Sequence, residues 1–219
     1  MSRIVVLGGT GYAGGHIVQE AAARGHQVLA ASRTAPASLP DGAEHRVLDL
    51  GGEDYADALA ALVEGADVVI ATSSPRGDLA GQGVLRARYA ALADAARQAG
   101  ARLGVIGGAG SLHVAEGGPK LVDTPEFPEA FADEARELDA VLDDLRDRGD
   151  ELDWFFLSPA AGFGAFAPGE RTGDYRVGDD VLLADEDGQS FISGADLAIA
   201  VVDEIERPAH HRARFTVAS

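Results

Sequence analysis

The sequence predicts an α/β protein in which a doubly wound parallel sheet carries helices on both faces. Short apolar runs alternate with stretches of helical periodicity along the chain, which is the pattern of repeated strand, helix and strand units. The segment 153–157 contains an unbroken apolar run, typical of a parallel strand buried on both faces. No linker rich in proline, serine or charge divides the 219 residues, so we expect a single domain over residues 1–219.

Each predicted element follows from local signals. The first strand runs into glycines, and the next helix keeps its apolar residues on one side until Gly25 stops it. The pattern then repeats, and Pro159 is expected to end the sixth strand. The predicted strands are 3–7, 27–32, 45–48, 67–71, 103–106, 153–157 and 214–217, and the predicted helices are 16–24, 55–64, 84–98, 126–148 and 193–205.

A loop or hairpin region is predicted at about residues 160–190, beyond the strand ends. This region is rich in glycine and charge, with short strand-like pieces at 175–177 and 181–183. Binding residues of parallel sheets collect at that edge, so we expect the region to cover a substrate. Phe163 and Phe166 fit two roles there, either covering a flat substrate or anchoring the loop by packing.

Composition excludes several classes of function. Lys and Arg total 18 against 36 Asp and Glu, so a formal net charge of -18 disfavours binding to nucleic acid or to an anionic membrane. The chain has no cysteine, and its histidines and acidic residues show no metal-ligand spacing. Without a signal peptide or membrane-spanning stretch, we expect a cytoplasmic monomer or small homo-oligomer whose partner is a small molecule.

The first strand ends in the run Gly8-Gly9-Thr10-Gly11-Tyr12-Ala13-Gly14, which predicts a dinucleotide-binding turn of Rossmann type. Gly8 would make the tight turn, Gly11 would admit the diphosphate, and Gly14 would let the helix lie on the sheet. Backbone N–H groups at the helix N-terminus would meet the diphosphate charge. A turn that serves packing alone is the alternative.

The end of the second strand, Ser32-Arg33, favours NADP(H) over NAD(H). An NAD site usually places an acidic residue there, whereas a guanidinium can pair with the 2′-phosphate of NADP. No carboxylate is adjacent to Arg33 in the sequence to repel that phosphate. The alternative is an ordinary surface arginine.

Two further strand ends are candidates for the cofactor site. Asp49 and Leu50 follow the third strand, where such folds meet the adenine, although Asp49 suits a helix cap or turn equally well. Ala71, Thr72 and Ser73 end the fourth strand and offer small residues and hydroxyls beneath the ribose and diphosphate. An ordinary polar loop start is the alternative for this segment.

The fifth strand ends in Gly107-Gly108-Ala109-Gly110-Ser111, which would lie along the nicotinamide. With the first glycine run, these residues resemble the atypical short-chain dehydrogenase/reductases, in particular the NAD(P)H-binding group similar to biliverdin reductase B and the NmrA-like proteins. The same resemblance continues through segments 152–160, 169–173 and 192–198. It implies that Pro159, Ala160 and Ala161 border the nicotinamide, while the predicted winding of the sheet places Gly108 there. Ser111 is the candidate for a substrate-facing catalytic hydroxyl, with a turn serine as the alternative.

One departure from that superfamily constrains the chemistry. Its usual proton donor is a tyrosine four residues before a lysine, and none of the four tyrosines here has that lysine. Reduction of a simple ketone would lack its acid, whereas a flavin or quinone spreads the charge of an added hydride. The sequence therefore predicts NADPH-dependent hydride transfer to a planar conjugated acceptor of flavin or quinone type. A non-catalytic NADP(H)-sensing regulator of NmrA type is the alternative.

Overall fold

One eight-stranded sheet organises the protein. The structure is a computed structural model and describes residues 1–81 and 83–219. Its helices are α1 (Tyr12–Ala23), α2 (Tyr55–Val63), α3 (Val84–Ala99), α4 (Ala132–Asp147) and α5 (Gly194–Glu206). Its strands are β1 (Arg3–Leu7), β2 (Gln27–Ser32), β3 (Ala43–Val47), β4 (Val68–Ala71), β5 (Arg102–Ile106), β6 (Trp154–Pro159), β7 (Arg176–Gly178) and β8 (Ala213–Ala218).

The strand order is β3-β2-β1-β4-β5-β6-β8-β7. All neighbours are parallel except β7, which pairs antiparallel with β8 at the edge. The first six strands have the 3-2-1-4-5-6 order of the Rossmann fold, in which the strand order across the sheet reverses between β1 and β4. The predicted α/β fold is therefore confirmed.

Alternate residues of β1 bury on opposite faces of the sheet. Val5 and Leu7 belong to the apolar core that also contains residues of α2, α3 and α4. Ile4 and Val6 belong to the core formed with α1 and α5. Helices thus cover both faces, which is why the parallel strands are apolar on both sides.

The structure moves the start of one predicted helix, lengthens the sixth strand to Pro159, and removes one strand-like piece. Helix α4 begins at Ala132 and not at Glu126, because Pro128 lacks an N–H and disfavours helical backbone in the residue before it. Pro159 closes β6 as its last paired residue, opposite Val217. The piece at 181–183 forms no strand, and Val181 makes only an isolated bridge with His113.

The loop region 160–190 is fastened to the helices by buried polar contacts. The Asp196 carboxylate, which is fully buried, accepts hydrogen bonds from the backbone N–H groups of Thr172 and Gly173 and from the Ser193 hydroxyl. Burial by itself raises the pKa of Asp196, but these hydrogen bonds outweigh it and hold the pKa below its usual value. A second anchor joins Arg171 to Glu20 of α1 at 2.5 Å.

We expect Asp196→Asn to destabilise the protein by about 1–3 kcal/mol, because an amide NH2 would face hydrogen-bond donors. Because the pKa of Asp196 is lower in the folded state, its carboxylate contributes fully to stability only above the pKa of the unfolded chain, about 4. That contribution is lost as the pH falls through the pKa of the folded state. Urea unfolding at several pH values measures both effects. Asp174→Asn, an exposed charge in the same segment, is the matched control. Equal stability of the two variants would contradict the anchor.

Candidate functional site

A cleft of about 350 Å³ lies at the carboxyl edge of the sheet, at the point where the strand order reverses. Such crevices are where open α/β sheets bind ligands. Most of its walls come from the loops that follow β1, β2, β3 and β4. The lining residues are Gly8, Thr10, Gly11, Ala31, Ser32, Arg33, Thr34, Leu48, Asp49, Leu50, Gly51, Thr72, Ser73, Ser74, Arg76, Asp78 and Leu79. We call this space the first cavity.

The glycine turn leaves no room for side chains. Gly8 has φ +76°, and a Cβ there would lie 2.5 Å from the Thr72 Oγ1. A Cβ on Gly14 would lie 2.2 Å from the Gly8 carbonyl oxygen. Gly11 precedes α1 and has no side chain that could cap it, so the first N–H groups of the helix remain available for an anion. The turn therefore has the cradle that a diphosphate requires.

Arg33 has a carboxylate beside it in the folded structure, although none is adjacent to it in the sequence. Asp78, 45 residues further along the chain, forms an ion pair with the Arg33 guanidinium, and both side chains are largely exposed. Because this partner comes from the loop after β4, no inspection of the residues around Arg33 reveals it. The neighbouring Ser32 hydroxyl is engaged with the Thr34 carbonyl and the His45 ring, each at 2.9 Å.

Asp49 follows the end of β3, where it makes a turn contact and lines the first cavity. Its carboxylate accepts a hydrogen bond of 2.9 Å from the Gly51 N–H, which is a turn contact, while the residue also lines the first cavity. Leu50 lines the same cavity, although only 7% of its surface is exposed. Leu50 is in addition held by Arg88, whose Nε donates to the Leu50 carbonyl at 2.6 Å.

The backbone at the end of β4 is held in place by hydrogen bonds from the hydroxyls of Thr72 and Tyr89. Thr72 donates its Oγ1 hydrogen to the Leu7 carbonyl at 2.8 Å, and the buried Tyr89 donates to the Ser73 carbonyl at 2.7 Å. Burial raises the pKa of Tyr89 well above its ordinary value, so the phenol stays protonated as a donor. Ala71 is buried in the core and does not line the cavity.

Tyr12 and Ala13 lie in the first turn of α1, but the Tyr12 side chain faces the loop region 160–190. Its hydroxyl donates to the Pro168 carbonyl and accepts from the Gly194 N–H, both at 3.1 Å. Its ring packs against that of Phe163, with centroids 5.4 Å apart. Tyr12 thus links the glycine turn to this loop.

A second cavity of about 480 Å³ lies beside the loop region. Phe166 and Phe131 stand at its mouth, with 77% and 50% of their surfaces exposed. Exposed aromatic side chains grouped around an apolar cavity are typical of a ligand site. The lining residues are Arg76, Gly108, Ala109, Gly110, Leu121, Glu126, Phe127, Pro128, Phe131, Glu134, Ala135, Leu138, Ala161, Phe163 and Phe166.

Arg76 lines both cavities. Its guanidinium makes two hydrogen bonds to the Glu134 carboxylate, at 2.8 Å and 3.2 Å. A ligand in one cavity that draws on this ion pair therefore changes the charge in the other.

Besides Ala71, Tyr12, Ala13 and Gly14, three further predicted site residues line neither cavity. Ser111 is buried, and both its hydroxyl and its carbonyl accept hydrogen bonds from Arg214, so the expectation that it faces a substrate is not met. Pro159 is buried within β6, and Ala160 is buried in the core with its carbonyl accepting from the Phe163 N–H at 3.2 Å. Gly108 and Ala161, by contrast, both line the second cavity.

Sequence reasoning missed the loop after β4 and the segment before α4. Arg76 and Asp78 sit in the first cavity, and Phe127 and Phe131 sit in the second. Pro128 was the available signal that residues 126–131 form a loop and not a helix. Within residues 1–81 and 83–219, no group of three metal-ligating side chains forms and no helix is long and apolar enough to cross a membrane.

Comparisons with known proteins agree with this architecture. A model of the NAD(P)H-binding family matches residues 8–208. The uncharacterized protein YwnB of Bacillus subtilis (strain 168) is 39% identical over 226 residues, covering 99% of this chain and 98% of its own. Among solved structures, a candidate exported protein from Burkholderia pseudomallei is 40% identical with a TM-score of 0.85, and a candidate NADH-flavin reductase from Streptococcus pneumoniae is 32% identical with a TM-score of 0.82; each match covers 100% of both chains.

We expect Gly14→Ala to weaken binding of NADPH by about tenfold or more, because the new methyl group would displace the turn at Gly8. Titration of nicotinamide fluorescence measures the affinity. Gly15→Ala is the matched control, since a Cβ there would approach no atom closer than 3.9 Å. Circular dichroism separates loss of the site from loss of the fold. A folded Gly14→Ala protein that binds as the wild type does would contradict the assignment.

Proposed function

The chain belongs to the NAD(P)H-binding family, and on that premise we propose that it is a reductase that uses NADPH to reduce a planar conjugated acceptor of flavin or quinone type. The observation that carries the proposal is the second cavity, which is largely apolar and bordered by four phenylalanines. It adjoins the first cavity, with which it shares Arg76. This assignment also fits the atypical short-chain dehydrogenase/reductases, to which the motifs are similar.

The first cavity provides what a nicotinamide dinucleotide needs. Gly8 and Gly11 would admit the diphosphate to the N-terminus of α1, and the Thr10 backbone lies beside them in the same wall. Leu50 and Asp49 would border the adenine, and Arg33 the adenosine ribose. A bound NAD(P)H supplies a hydride, two electrons with one proton, and leaves as NAD(P)+, while the reduced acceptor takes one further proton from solvent.

The chain contributes positioning more than acid catalysis. Phe127, Phe131, Phe163 and Phe166 present apolar surface on which a flat ring system can be held and shielded from water. The hydroxyl of Ser111 is buried and hydrogen-bonded to Arg214, so it does not serve as a proton donor to the acceptor. An acceptor that spreads negative charge over its rings needs no such donor at the moment of transfer.

A regulator that senses NADP(H) without chemistry would use the same first cavity. The open second cavity favours catalysis over sensing, because a sensor has no need for an accessible apolar space beside the nicotinamide end.

Cofactor preference should depend on the Arg33–Asp78 ion pair. Arg33→Ala is expected to weaken NADPH binding by about tenfold while changing NADH binding by about twofold or less, because a charge-assisted contact to the 2′-phosphate is lost. Asp78→Asn should tighten NADPH binding about threefold, since the phosphate no longer competes with a carboxylate for Arg33.

Equilibrium titrations with both cofactors provide the measurement, supported by thermal shifts with NADP+ and NAD+. Asp57→Asn removes an exposed charge outside the first cavity and is the control. Equal losses for NADPH and NADH in Arg33→Ala would remove the assignment of Arg33.

Turnover tests the reductase proposal directly. Loss of the reduced nicotinamide absorbance is followed with flavins and quinones as acceptors. Phe166→Ala should raise KM for the acceptor about threefold to tenfold, because stacking surface is lost, and it should leave cofactor affinity unchanged. Val47→Ala, an exposed apolar residue outside both cavities, is the control. Rates no faster than the uncatalysed background for every acceptor would refute the proposal and favour a sensor.

A further inference from the structure

The second cavity has an uneven charge. The charged residues of its lining are Glu126, Glu134 and Arg76. Two carboxylates against one guanidinium leave one net negative charge around an otherwise apolar, aromatic space. The surrounding chain adds to this sign, since its formal net charge is -18.

The single cation of this lining is already engaged. Arg76 is held by both oxygens of Glu134, at 2.8 Å and 3.2 Å, so it offers little uncompensated charge to an anion. Any anion in the first cavity that draws Arg76 away from Glu134 makes the second cavity more negative still. Glu126 is exposed and makes no ion pair or side-chain hydrogen bond with another residue of the described ranges.

From this arrangement we infer that the second cavity selects uncharged planar acceptors and discriminates against those that carry a phosphate or sulfonate group. The inference rests on the proposed reductase function and specifies its substrate class: a flavin without a phosphate, or a neutral quinone. The aromatic walls bind the ring system of either kind of acceptor, and the carboxylates repel only the anionic group.

The salt concentration and the Glu126 carboxylate should both change the ratio of the affinities for an uncharged and an anionic acceptor. Riboflavin and FMN share one ring system and differ by the phosphate, so they are the matched probes. Flavin fluorescence quenching is measured with the full chain saturated with NADP+. At about 0.01 M salt, where the screening length is about 30 Å, riboflavin should bind about tenfold more tightly than FMN; at about 1 M salt, where it is about 3 Å, the difference should fall to about twofold or less.

Glu126→Gln should narrow the low-salt difference about threefold by improving FMN binding, with riboflavin unchanged. Glu129→Gln removes the same charge from the same segment outside the cavity lining, and it should leave the ratio as in the wild type. Steady-state reduction of a neutral naphthoquinone and of its sulfonate gives a second, independent pair of kcat/KM values.

The outcomes separate the two proposals. Equal binding of riboflavin and FMN at low salt, tighter binding of FMN, or binding of neither overturns the charge selection. An equal effect of Glu126→Gln and Glu129→Gln also overturns it, because the effect would then come from net charge and not from the cavity. If riboflavin binds more tightly than FMN but no acceptor is reduced, the charge selection of the second cavity is supported and the proposed reductase function is refuted.

Discussion

The close approach of α1 to the end of β1 is the constraint on which the rest of the site depends. A Cβ at Gly14 would lie 2.2 Å from the Gly8 carbonyl oxygen, so the helix reaches the sheet only because that position is bare. The other side of α1 has a similar contact with α5, where a Cβ at Gly194 would lie 2.3 Å from the His16 ring. Two glycines therefore set the position of one helix, and the N-terminus of that helix forms part of the first cavity.

The same helix, α1, also contacts the loop region 160–190, which borders the second cavity. Tyr12, in its first turn, holds the loop region 160–190 through the Pro168 carbonyl and packs against Phe163. Asp196 and Glu20 fix the same loop from α5 and α1. Phe163, one of the aromatic residues that line the second cavity, is thus held by the helix that follows the glycine turn.

Electrostatics adds a second connection. The guanidinium groups that line the first cavity, Arg33 and Arg76, are each paired with a carboxylate, Asp78 and Glu134. In a chain this acidic, pairing keeps the cations in place, and an anionic ligand must compete with the carboxylates for them. On the proposed function, an anionic ligand that takes up either arginine would replace one of these ion pairs.

The sequence by itself determined the order of the elements, the parallel sheet and the glycine turn, because each depends on local periodicity or on backbone space that glycine alone provides. It also placed Ser32, Arg33, Asp49, Leu50, Thr72 and Ser73 at strand ends that share one edge, and the structure brings them into one cavity. Only the tertiary structure decided the contacts between distant segments. Asp78 forms an ion pair with Arg33, 45 residues earlier in the chain, and Arg214 donates a hydrogen bond to Ser111, 103 residues earlier. No local sequence pattern encodes contacts at such separations.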